Sequence, residues 1–154
     1  MRASKGQFRF EAFNPKEILR VTKTESDTMW PSVRAFVESL IAREQDYIIE
    51  GVHLQPRHIA KLKKTKHWTQ IRAVFLVKTD IEKITSGFPR FKGSHDWMYP
   101  NIKDEPEKIA KAAEMVKAHG EYTATQARKY KLNLVHMDDG FPKKIADTMK
   151  RLIA

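Results

Sequence analysis

The chain contains no cysteine. It can form neither a disulfide framework nor a thiolate metal site, and a cytoplasmic location is the expected one. Long apolar runs are missing too: no window nears the ~18 consecutive apolar residues that a bilayer span needs. The opening MRASKGQFRF lacks the apolar core of a secretory leader. There are no internal repeats and no low-complexity tracts. No G-x-S-x-G and no Cys/His nucleophile arrangement occurs, which sets aside hydrolases of those types. Of the six histidines, His53 and His58 stand five apart across a turn rather than at the i, i+4 spacing of a helical zinc pair. Acid is scarce in one third only. Residues 47–92 carry 10 Lys and Arg against 3 Asp and Glu, whereas residues 1–46 carry 8 against 7 and residues 93–154 carry 11 against 9. Most of the formal net charge of +10 therefore lies in the middle. That third either seeks an anion (nucleic acid, a nucleotide or a phosphorylated small molecule) or forms a solvated basic face.

What remains is an ordinary globular composition, 41% hydrophobic and 31% charged over 154 residues, enough for one domain with one core. Asn14 followed by Pro15 predicts a helix start. In SDTMWPSVRAFVESLIAREQ, Trp30, Val33, Phe36 or Val37, Leu40 and Ile41 recur at helical spacing and predict a second helix with one buried stripe. DYIIEGVHLQP predicts a buried strand over Tyr47–Leu54, because four of its residues are β-branched or aromatic. Pro56 opens a short basic helix. IRAVFLVK, Ile71–Lys78, predicts a strand apolar on both faces, and LNLVHM, Leu132–Met137, a third. Between the last two lie the Gly- and Pro-rich loop 86–106 and a long helix expected to weaken or break at Gly120. A closing helix aligns Ile145, Met149 and Leu152. Doubly apolar strands separated by helices predict a parallel sheet in an α/β layer fold.

Glu50 is the odd residue. An unpaired carboxylate inside a buried strand costs several kcal/mol, so a metal ion or a lysine is expected beside it. In parallel sheets ligands sit beyond the carboxyl ends of the strands. Glu50 and His53, then Asp80, then His136, Asp138 and Asp139 fall at three such ends. Carboxylates there, with a basic loop nearby, suit Mg²⁺ and phosphate. The run RHIAKLKKTKHWTQIR, with Trp68 among lysines, suits nucleic acid or a solvated helix face equally. Phe88, Phe91, Trp97 and Tyr99 suit base stacking or the pinning of their loop.

DYIIEGVHLQP also resembles the second acidic motif of P-loop small-molecule kinases, most closely the 2-phosphoglycerate kinase and zeta-toxin-like branch. There an apolar strand ends in an acid, a glycine and a VHL-x-P turn. TMWPSVRAFVESLIA before it, and IRAVFLVKTD, FPRFKG and LNLVHMDDGF after it, follow the same order, so the likeness covers about residues 25–154. The resemblance implies a single kinase-like domain over 1–154, an α/β fold with a three-layer parallel sheet, helices on both faces and a lid at 86–106. It implies Glu50 and Arg90 as catalytic residues, with Glu50 organising Mg²⁺ indirectly. His53, Arg57 and Lys92 would hold the acceptor, while Asp138 and Asp139 would lie near the nucleotide. No G-x-x-x-x-G-K-[ST] occurs in the chain. The pattern starts after the family's second strand, so the first strand and phosphate loop are expected to be missing. ATP and Mg²⁺ would then serve only once a second chain supplied that strand and loop, and the chain alone would be inactive. The rival expectations are a basic nucleic-acid-binding module and an interaction subunit that docks through an open sheet edge. None of the three involves a membrane.

Overall fold

Residues 8–88, 102 and 105–153 are described by the structure, a computed structural model. The expected cap at Asn14 is formed. Its side chain accepts from the Glu17 amide at 3.0 Å, and the Glu17 carboxylate accepts in return from the Asn14 amide at 3.0 Å. This reciprocal pair satisfies two orphan donors. After the short α1 (Arg9–Ala12), it launches α2, which runs unbroken from Pro15 to Ala42 where the sequence suggested two helices. Ile18, Thr22, Ser26 and Trp30, four residues apart in turn, form its buried stripe. Pro31 lies within it at a surface position. Pro56 opens α3 (Pro56–Leu62), followed by a 3₁₀ turn at Lys66–Gln70.

The sheet departs most from expectation. Only β1 (Val74–Val77) and β2 (Asn133–His136) form strands among the described residues. They pair in parallel, Val74 opposite Asn133 through Val77 opposite His136. Between them come α4 (Ile81–Gly87) and α5 (Pro106–Lys129), and α6 (Phe141–Ile153) follows β2. The three-layer parallel sheet is thus corrected to a mostly helical domain around one two-stranded parallel ladder. Two observations account for the difference. Residues 47–54 form no strand, since β-branched residues make a strand only where a neighbour pairs with them. In β1, Phe75 and Val77 are buried while Leu76 is 47% exposed. One face of the ladder is therefore packed and the other lies open.

Helix α5 is the hub, meeting α1, α2, α3, α4 and both strands. It comes close because its inner stripe is small: Ala112, Ala113, Gly120, Thr123, Ala124 and Ala127. The helix does not break at Gly120. A Cβ at that position would lie 2.1 Å from the Lys78 carbonyl oxygen, so the glycine permits α5 to touch the backbone leaving β1. One apolar cluster joins Trp30, Ile59, Leu62, Phe75 and Ala127; a second joins Phe10, Ile18, Ile102 and Ala112. Most of the proposed lid, including Arg90 and Lys92, lies outside the described residues.

Candidate interaction site

The segment leading out of α2 carries its apolar side chains outward. Ile48 is 81% exposed, Tyr47 64% and Val52 60%. Glu50 is exposed and makes no ion pair or hydrogen bond with the described residues, which corrects the expectation that it is buried. The backbone N–H and C=O groups of residues 46–50 have no hydrogen-bond partner within the fold either. The turn behind them is tied down, with the Leu54 amide donating to Gly51 O at 3.1 Å and the Ser26 hydroxyl to His53 O at 2.5 Å. The run is thus anchored at its C-terminal end and open along its length. Tyr47 rests edge-on against Phe36, with ring centroids 6.1 Å apart. Phe36 and Met29, seven residues apart on α2, are also exposed. An apolar strip extends from the segment onto the helix.

Beside this strip lies an open groove of about 460 Å³ bounded by Arg9, Thr24, Glu25, Thr28, Met29 and His53. Arg9 grips Glu25 through two bonds of 2.7 and 3.0 Å. That pairing, opposed by partial burial and aided by His53 3.4 Å away, holds the Glu25 carboxyl below its usual range.

Further inward is a polar seam in which Gln55 and His58 are buried, Arg57 is half-buried and Asp27 is exposed. Arg57 donates to Lys23 O at 2.8 Å and to Gln55 Oε1 at 3.0 Å, and its guanidinium lies 3.1 Å from Asp27. His58 is 1% exposed and stands edge-on to Trp30, with ring centroids 4.9 Å apart. Its Nε2 lies 3.0 Å from Asp27 Oδ1, yet neither ring nitrogen is aligned for a hydrogen bond. Burial, helped by the Arg57 and Lys61 cations and opposed by Asp27, pushes the imidazole down to about 4. The His119 imidazole is lowered as well, by burial first and by His53 second, and its Nε2 has no partner. Sequence reasoning missed Glu25, Asp27, Gln55, His58 and His119. The usable signal was Thr22 and Ser26, which continue the i, i+4 stripe of Ile18 and Trp30 in polar form.

At the carboxyl ends of β1 and β2, the acids expected together do meet, but each is already engaged. Asp138 accepts from the Thr79 amide at 3.0 Å, the Asp80 amide at 3.1 Å and the Thr79 hydroxyl at 3.3 Å. Burial raises its pKa, and these donors outweigh that to leave it lowered. Asp80 caps α4 through the Glu82 and Lys83 amides at 3.0 and 3.2 Å. Asp139 pairs with Lys83. Among the described residues, no group of three or more His, Asp or Glu side chains is placed to hold a metal ion. Asp138 and Asp139 are thus already engaged by amides, a hydroxyl and Lys83, and no chemical step is derived through a Mg²⁺ ion. Of the expected acceptor residues, His53 faces the groove and Arg57 is spent on the polar seam.

No family model, no curated protein and no solved structure matches this chain. Among the described residues, no helix is long and apolar enough to cross a membrane.

Proposed function

We propose that this chain is an interaction subunit that takes up a strand from a second, different polypeptide along residues 46–50. The supporting observation is the coincidence of an exposed apolar run with a backbone that has no hydrogen bond among the described residues. Such a segment is a template for strand addition. Its ends help choose the occupant. In an antiparallel pairing of two copies centred on Ile48, Asp46 of each would face Glu50 of the other, and like charges directly opposite destabilise a ladder. A partner strand that is apolar in the middle and carries Lys or Arg at its ends fits better.

The test is amide hydrogen exchange with extended peptides whose apolar centres are flanked by lysine or by glutamate. In the free chain the amides of Tyr47–Glu50 are expected to exchange fast. The lysine-flanked peptide should slow them at least ~10-fold, the glutamate-flanked one should not, and Ile48→Asp should abolish the effect. Amides already protected in the free chain, or protection that grows with its own concentration, would replace this reading with self-association.

A second reading is favoured by Glu50, an exposed carboxylate with no partner among the described residues, on the docking segment itself. Together with the motif around it, this supports a phosphotransferase in which the second polypeptide brings the glycine-rich phosphate loop that this chain lacks. The purified chain with ATP and Mg²⁺ is then expected to show no turnover, in either wild-type or Glu50→Gln form. Hydrolysis by the chain alone that is lost in Glu50→Gln would contradict it.

A further inference from the structure

From Gly51 to Thr79 the sequence contains no Asp or Glu and seven Lys or Arg. The fold brings part of this stretch against the basic end of α5. The Lys63 ammonium donates to Tyr130 O and Lys131 O, both at 3.2 Å, which satisfies carbonyls that the end of α5 leaves open. Asn133 Nδ2 donates to Ala73 O at 3.3 Å and so binds the start of β1 to the start of β2. Lys63, Lys64, Lys66, Arg72, Lys129 and Lys131 are thereby gathered at one end of the molecule, and all six are exposed. Among the described residues, no ion pair involves any of them. Of the other surface lysines, Lys83, Lys108, Lys117 and Lys150 each have a carboxylate within 4 Å, while Lys16, Lys111 and Lys143 have none among the described residues. A one-sign cluster of this kind repels itself until an anion covers it.

We infer that this end binds the phosphate backbone of a nucleic acid, through residues other than those of the 46–50 segment. Three observations choose that ligand. The grooves bounded by Met29 and His53 and by Phe10 and Ile18 both lie elsewhere, and cations spread over three elements suit an extended polyanion rather than a small phosphate ester. No large exposed apolar side chain lies within residues 63–72 or 129–133, so these segments offer little to enter a bilayer. Trp68 and Tyr130, the aromatic residues present, are partly buried, and lysines lie over their rings at 5.9 and 5.5 Å. Little ring face is left for bases, and recognition runs through phosphate without sequence preference.

The test is fluorescence anisotropy with a labelled 20-mer, both as a single strand and as a duplex, from 50 to 200 mM salt. With about four phosphates neutralised, duplex affinity should fall roughly 100-fold over that range. Scrambling the base sequence should leave it unchanged. Charge reversal at Lys64, Lys66 and Lys129, all to Glu, should weaken binding at least ~10-fold and flatten the salt slope. Reversal of Lys16, Lys111 and Lys143, which changes the net charge equally, should weaken it less than threefold, with both triples checked for native circular dichroism. Equal loss in the two triples would overturn the assignment in favour of net charge alone. Absence of binding at 50 mM salt would overturn it outright. Tighter binding to phosphatidylserine vesicles than to the 20-mer would move the site to lipid.

Discussion

Gly120→Ala is expected to lower the melting temperature by roughly 5–12 °C. Two effects oppose each other. In a helix interior alanine gains about 1 kcal/mol over glycine. Against this, the new methyl would stand 2.1 Å from Lys78 O and 3.2 Å from Lys78 C, both backbone atoms that no rotamer change can move. Overpacking of this kind costs about 1–3 kcal/mol, and more where backbone must shift. The displaced residues are also those that Asp138 grips through the Thr79 and Asp80 amides, so the strain reaches the end of β2. With the backbone forced to move, the gross cost is about 3–4 kcal/mol, and the net loss of about 2–3 kcal/mol corresponds in a domain this size to the stated shift. Thermal unfolding followed by circular dichroism measures it. An unchanged or higher melting temperature would mean that α5 does not approach β1 as described.

The second large effect is acid destabilisation through His58. The unfolded imidazole takes its proton near 6.5, whereas the buried one resists until about 4. Its folded value is depressed, so the unfolded chain binds the proton more readily and stability falls as pH drops. The contribution is whole above pH 6.5 and is lost progressively down to about pH 4. A gap of 2.5 units, 6.5 less 4, corresponds to at most about 3 kcal/mol. His58→Met keeps an apolar body of similar size against Trp30 and should flatten the urea-derived stability curve between pH 6.5 and 4. Part of the slope should survive in the variant, because His119 is lowered in the same direction. Asp138 titrates outside this window: its depressed carboxyl gives up its stabilisation only below its usual value of 3.8. A slope identical in wild type and variant would mean that His58 is protonated in the native state.

Local signals were legible in the sequence where a few neighbouring residues decide the outcome. Asn14 before Pro15 and Pro56 at a first helical turn took the predicted form, and strands formed inside the runs 71–78 and 132–137, though shorter, at 74–77 and 133–136, and with Leu76 left exposed. Features that depend on distant partners were not legible. Whether Tyr47–Leu54 becomes a strand depends on what lies alongside it, and its composition is the same in either case. Gly120 read as a break because its helical cost is local, whereas its benefit is a contact with Lys78, forty-two residues earlier. Among the candidate site residues, Asp138 and Asp139 were placed correctly at a strand end. Their occupation by backbone amides and by Lys83 could not be read from spacing. His58 read as one of six scattered imidazoles, and only its packing against Trp30 makes it a buried titrating group.

The uncovered run at residues 46–50 bears on the fate of the chain as well as on its binding. Copies made in excess of whatever covers that run present sticky hydrophobic backbone to one another and to the quality-control machinery. On the proposed reading, cellular abundance would follow the supply of the partner strand rather than the rate of synthesis, and the unassembled chain should be short-lived in the cell and harder to keep in solution than its net charge suggests.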